Sequence, residues 1–326
     1  MVALSSFALL AVSCHAGGAA APNPPSAASS DGGPAQGPPT LRILPASFRL
    51  PAPVQREVAA ARLGRIYLAG GLNGADISSH DVVAVDLTRG TAHVAGHVPQ
   101  AFHDAAAAVL AGRIVVFAGG DGQISDVVQS FDPTSDAGRL EGSMPRPLSD
   151  LSSATVDGVA YLVGGYDGLS PQRTIYATSD GRRFRRAGTM PVGLRYAAVA
   201  AVGTSLVIAG GVTSSGPSAD ILAFDSRSGS VRIIGRLPHP VGHAVAFTLG
   251  AMVYVAGGTG AAGSALRAIE AVDPFTGVVR RAGRLPSPLS DAAIVVVGQR
   301  AWLFGGWRGG PVSDVLTLSL GPPSPP

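Results

Sequence analysis

The chain has 326 residues, 44 of them Gly and 26 Pro, with 46% hydrophobic and only 14% charged residues and a formal charge of +3. This composition excludes disorder along the whole length, which requires few hydrophobics and much charge, and it excludes collagen, because the glycines lack a three-residue period. So many helix breakers also argue against a long helical protein and leave a β-rich globular chain with many tight turns.

In chain order, Val2 to Val12 forms an apolar segment of signal-peptide length, too short to cross a bilayer. No Lys or Arg precedes it, which a start codon assigned too far downstream would explain. It runs into Leu10-Ala11-Val12-Ser13-Cys14. This resembles a bacterial lipobox with Ala11 where Leu is usual, and the resemblance implies a diacylated Cys14 as first mature residue. Cys14 is the only cysteine, so neither a disulfide nor a Cys-based zinc site can form within the chain. Residues 15–40 are dominated by Ala, Gly, Pro and Ser, the composition of a flexible tether. The expected organisation is a leader with its lipobox over 1–14, a tether over 15–40, a folded unit over 41–320 and a Pro-rich tail over 321–326. The protein is expected to be exported, extracytoplasmic and membrane-anchored only through Cys14. All 24 basic residues are Arg, which fits the coding bias of a GC-rich bacterial genome. They are scattered apart from Arg182, Arg183, Arg185 and Arg186, a solvated strand edge, so no nucleic-acid footprint is read.

Beyond residue 40 the chain repeats itself, the signature of a repeat architecture. Six apolar runs end in Gly-Gly, such as Ile66-Tyr67-Leu68-Ala69-Gly70-Gly71 and Val115-Val116-Phe117-Ala118-Gly119-Gly120. Their second glycines fall at 71, 120, 165, 211, 258 and 306. About twenty residues before each doublet stands an apolar residue and Pro, ending at Pro51, Pro99, Pro145, Pro191, Pro238 and Pro286. A strand of small apolar residues lies between Pro and doublet, and a strand often opening and closing with Asp follows it. Each repeat thus holds four short strands: a after the Pro, b ending in Gly-Gly, c ending near Asp, and d ending at the next Pro. Four strands in such a period make one blade of a β-propeller.

The doublet after strand b, in six phased copies, resembles the kelch repeat over about residues 41–320. The resemblance implies an all-β, six-bladed kelch-type β-propeller with four antiparallel strands per blade. The usual kelch Tyr and Trp after the doublet are missing, so packing between blades is expected to rely on aliphatics. The last repeat lacks its own strand d. Residues 41–50 are expected to supply it, closing the ring and hiding the sheet edges.

In a propeller the d–a and b–c loops share the face around the channel mouth, so equivalent loop residues form rings about one axis. Five residues after the repeat prolines come Arg56, Asp104, Asp150, Tyr196, His243 and Asp291; one position earlier come His103 and Arg195; the b–c loops add Tyr166, Trp307 and Arg308. These are the candidate ligand-binding residues, because polar groups converging on loops over a rigid scaffold form the default binding site. The aspartates could also cap local turns, which is expected of at least one. No catalytic residue is assigned, and neither a cofactor nor a metal is expected. The reading leans to a non-catalytic binding module of the bacterial cell envelope, monomeric, whose ligand is a protein, peptide or glycan at the mouth. The alternative is a carbohydrate-active enzyme. The resemblance reaches six-bladed kelch enzymes that epimerise sialic acid, for which Arg56, Glu57, Arg195, His103 and His243 could serve, and kelch copper oxidases, whose Tyr–Cys ligand this chain lacks in mature form.

Overall fold

The computed structural model describes residues 41–321. Cys14, the leader, the tether and all but the first residue of the tail lie outside the described residues. The described chain forms six four-stranded antiparallel sheets in sequence order. Blade one runs Val58–Arg62, Arg65–Ala69, Ser79–Asp86 and Thr91–Phe102 as strands a to d. Four further blades follow in the same order, and two short two-stranded ribbons sit in their loops.

Blade six closes the ring as expected. It takes Ala293–Val297, Arg300–Phe304 and Val315–Leu320 from the C-terminal repeat and Leu41–Pro45 from the N-terminal end. Leu41 pairs with Leu320 and Pro45 with Leu316. This strand covers half of the expected 41–50, but the amides of Ala46 and Leu50 continue along the same neighbour by donating to Val315 and Ser313 carbonyls. The edge of strand c in the last repeat is therefore paired.

The doublets sit where two blades meet. The second doublet residue donates its N–H to the residue ahead of the next blade's strand a: Gly71 to Phe102, Gly119 to Leu148, Gly165 to Leu194, Gly211 to Val241, Gly258 to Leu289 and Gly306 to Val54. At Gly71 a Cβ would stand 2.7 Å from the Gln55 carbonyl oxygen, and φ is +95°; both facts call for a residue without Cβ. Blade two corrects the sequence reading. Its pair is Ala118–Gly119, with Ala118 at φ 60°, and Gly120 lies one residue beyond. The left-handed backbone is the repeated feature, and there alanine adopts it.

The core is a set of apolar clusters between neighbouring blades. Aliphatics dominate, but aromatics take part against expectation. Tyr67 packs on Phe131 at 6.0 Å between ring centroids, Phe117 on Phe184 at 6.2 Å and Tyr161 on Phe224 at 5.3 Å, each pair bridging two blades. Strand-d glycines make room for two of these rings: a Cβ on Gly96 or Gly188 would stand 2.9 Å or 2.8 Å from Phe131 or Phe224.

Candidate functional site

The six residues at the fifth position after each repeat proline form a closed cycle of backbone hydrogen bonds around the axis. Each N–H donates to the carbonyl of its counterpart in the preceding blade. Arg56 donates to Asp291 at 2.8 Å, Asp104 to Arg56 at 3.3 Å and Asp150 to Asp104 at 2.7 Å. Tyr196 donates to Asp150 at 3.0 Å, His243 to Tyr196 at 3.1 Å and Asp291 to His243 at 3.1 Å. All six have φ between 52° and 59°. Asp and His tolerate this left-handed region better than most side chains, which gives the sequence choice at four of the six positions a backbone reason. None of the three aspartate carboxylates accepts a backbone hydrogen bond among the described contacts, so the expected turn capping is not observed. Each instead engages a side chain.

Those side chains converge. Arg56 Nη1 donates to Asp104 Oδ2 at 2.9 Å, and its Nε lies 3.5 Å from Asp291 Oδ1. Tyr196 Oη donates to Asp104 Oδ2 at 3.2 Å. Arg195 Nε lies 2.7 Å from Asp150 Oδ2, an ion pair whose N–H is not aligned for a hydrogen bond. The Arg195 guanidinium sits over Tyr166 at 4.5 Å and over Tyr196 at 4.7 Å. Tyr196 stacks on His243 at 3.8 Å, and His243 Nδ1 is 2.6 Å from Asp291 Oδ1. His103 bonds Ser78 through Nδ1 at 2.8 Å and brings Nε2 to 3.7 Å from Asp104.

Two adjoining hollows result. One of about 120 Å³ is lined by all six ring residues and by the residues that follow them, among them Glu57, Ala105 and Ala292. The other, about 360 Å³, is lined by Arg56, His103, Asp104, Asp150, Tyr166, Arg195 and Tyr196 with Gln123 and Ile124. Nine of the eleven ring candidates are thus brought together. Trp307 occupies the loop position equivalent to Tyr166, its backbone paired with Ser290 as Tyr166 is with Ser149, but its side chain lines neither hollow. Arg308 turns away: its Nη2 donates to Asp314 Oδ2 at 2.8 Å, and it lines a separate cleft of blade six with Phe48 and Arg49.

Burial sets the protonation of the site. It pushes Asp104 up to about 6; Arg56 and Tyr196 counter the rise, and Asp150 and Asp291 add to it. Burial also acts to raise Asp291, but hydrogen bonds from His243 and Ser290 and the Arg56 charge outweigh it and hold this carboxyl below its ordinary value. His103 is lowered by burial and by Arg56, and Tyr196 is raised by burial and the two aspartates, so both are neutral at pH 7. Arg56 is raised: Asp104, Tyr196 and Asp291 overcome a burial penalty that acts the other way.

Glu57 is the residue that sequence reasoning left outside the ring. Its position carries Ala105, Leu151, Ala197, Ala244 and Ala292 in the other blades. Its carboxylate is buried, and neither oxygen meets a hydrogen bond of normal geometry. Burial pushes it up to about 8; the amides of Glu57 and Ala293 oppose this, and the Asp291 charge reinforces it. A lone charge in a column of small apolar residues was the available signal.

The comparisons agree with this architecture. A family model described as the kelch motif matches residues 101–137, which span blade two from the end of the preceding strand d to the start of its own. Among solved structures, that of YjhT is similar at a TM-score of 0.71 and 15% identity, covering 83% of this chain and 98% of that one. No curated protein matches the sequence. The chain is a six-bladed kelch-type β-propeller. Within this propeller the matched repeat is the one in which Ala118 takes the backbone position of the first doublet glycine.

Proposed function

We propose that the propeller mouth is a non-catalytic binding site for a sugar-sized polar group, presented by a glycan or as a free saccharide. One observation carries this reading: Arg195 is held between the faces of Tyr166 and Tyr196 at the wall of a hollow of about 360 Å³. That volume falls within the usual range for small-molecule sites. Tyr196 is occupied by Arg195 and His243, so the ring that meets the C–H surface of a sugar is that of the half-buried Tyr166, whose hydroxyl stays polar, and arginine, aspartate and histidine beside it match a hydroxyl-rich ligand. The test is a titration of the full chain with a glycan panel, repeated with Tyr166→Ala. A saccharide bound by wild type and lost in the variant supports the reading; a variant that binds the same saccharides equally well refutes it.

Placement in a bacterial envelope belongs to the same proposal and rests on the sequence order of apolar leader, Cys14 and tether. Metabolic labelling with a lipid probe should mark wild type and not Cys14→Ala, and equal labelling would remove the anchor.

A second reading, acid–base chemistry on a sugar, is favoured by Asp104. Its pKa of about 6 suits proton transfer near neutral pH, and Arg56, Tyr196 and His103 surround it. Turnover of a bound saccharide with a pH profile breaking near 6, abolished in Asp104→Asn, would select this reading over simple binding.

A further inference from the structure

We propose that His80, Asp81 and His97 form a site for a borderline divalent transition metal, with Zn²⁺ as the species to test, on strands c and d of blade one and apart from the mouth. His97 Nδ1 lies 3.0 Å from Asp81 Oδ1, and His80 Nε2 lies 3.9 Å from the same oxygen. The two imidazoles face each other at 4.6 Å between centroids. One donor atom from each residue falls within 4.8 Å of the others. Tetrahedral zinc with bonds of about 2.0–2.2 Å spaces its ligand atoms roughly 3.5 Å apart. Side-chain movements of about 1 Å therefore complete the set, and these half-exposed side chains are free to make them.

The topology explains how neighbours in sequence come to share a face. Successive strand residues normally point to opposite sides. Here the c–d register slips: Ser79 pairs with Phe102 but Asp81 with His97, leaving His80 without a cross-strand partner. His80 can then turn onto the His97 ring.

Comparison with the other blades distinguishes the cluster from an ordinary ion pair. The carbonyl that receives the first doublet N–H marks equivalent positions: Asp81 in blade one, Asp220 in blade four and Asp314 in blade six. Asp220 pairs with Arg236 at 3.4 Å, and Asp314 with Arg49 at 3.0 Å. In blade one that partner is histidine, and a second histidine is added. Guanidinium has no lone pair to give a metal, whereas neutral imidazole does. Among the described residues no arginine lies within ion-pair distance of Asp81. One carboxylate and two imidazoles suit Zn²⁺ and its transition-metal neighbours, with water completing the coordination.

The test is calorimetric titration of the full chain with zinc chloride, alongside His80→Ala, His97→Ala and His93→Ala, the last an exposed strand-d histidine outside the cluster. Thermal melting confirms that all four are folded. The expected result is a site in wild type and His93→Ala whose affinity falls at least about tenfold in each of the other two, since loss of an outer-sphere partner alone can cost that much. No zinc uptake by wild type, or uptake equally tight in His80→Ala and His97→Ala, overturns the proposal; the latter would assign the metal elsewhere, as to His103 and His243 at the mouth.

Discussion

Replacing Glu57 by Ala, the residue found at its position in four of the other five blades, should change the stability of the propeller with opposite sign at low and high pH. Glu57 moves from an ordinary value of 4.5 to about 8 on folding. The folded state therefore holds its proton more tightly than the unfolded chain. Stability from this group is intact below pH 4.5 and is lost as pH rises through 8. The loss reaches on the order of 5 kcal/mol once pH exceeds both values, and about 4 kcal/mol at pH 8. Truncation to Ala abolishes that pH-dependent loss but also removes one buried methylene and the carboxyl group, a loss of packing worth about 1.6 kcal/mol once the cavity left behind is counted. The variant should thus be about 1 kcal/mol less stable than wild type at pH 5 and about 3 kcal/mol more stable at pH 8, with a crossing between pH 5 and 6. In a propeller of this size the gain at pH 8 corresponds to a rise in Tm of roughly 5 °C. Denaturant unfolding of both proteins across pH 5–9 measures the difference directly. A stability difference that is constant over this range would refute the reasoning, because it would mean that Glu57 does not change its proton affinity on folding.

Three other outcomes follow from the geometry. Deleting residues 41–50 should leave the last strand c unpaired and cause aggregation or severe destabilisation; a deletion variant melting within a few degrees of wild type would remove the closure argument. Arg195→Ala strands the Asp150 carboxylate, whose side chain is only 4% exposed, and should cost on the order of 3 kcal/mol in denaturant unfolding at pH 7; a change below about 0.5 kcal/mol would show that Asp150 is solvated after the truncation. Gly188→Ala places a methyl 2.8 Å from the Phe224 ring and should cost about 1–3 kcal/mol, whereas Gly309→Ala, with open space around it, tests only the strain of φ +74° and should cost less.

The sequence carried the blade count, the strand order and the ring-closing strand because each depends on a feature repeated six times. It also carried most of the mouth, since equivalent positions in a closed ring must lie around one axis. What it hid depends on features that composition does not encode. The doublet of blade two was read one residue late because the constraint there is a left-handed backbone, and Ala118 satisfies it. The ring aspartates looked like caps because Asp favours turns, yet their carboxylates face arginine, tyrosine and histidine across blades, contacts formed only when distant repeats are assembled. Arg308 belonged to the mouth by loop position alone; Asp314, six residues on, draws it outward. Glu57 was visible as an exception to its column but gave no sign of being unpaired. The aromatic pairs joining Tyr67 to Phe131 and Tyr161 to Phe224 were obscured by the low aromatic content, although the glycine three residues before several repeat prolines marks where two of the rings fit. The cluster at His80 and His97 was unreadable because strand alternation sends His80 and Asp81 to opposite faces, and only the register slip reverses that.

The cycle of backbone hydrogen bonds at the mouth has a consequence for how this architecture can change. Six donors meet six acceptors, and none is left over. An added or lost blade would bring or remove one donor and one acceptor together, so the circuit could close again only after every junction had changed its angle. Gene duplication of a single blade, harmless in an open solenoid, would here have to re-angle all six existing junctions at once.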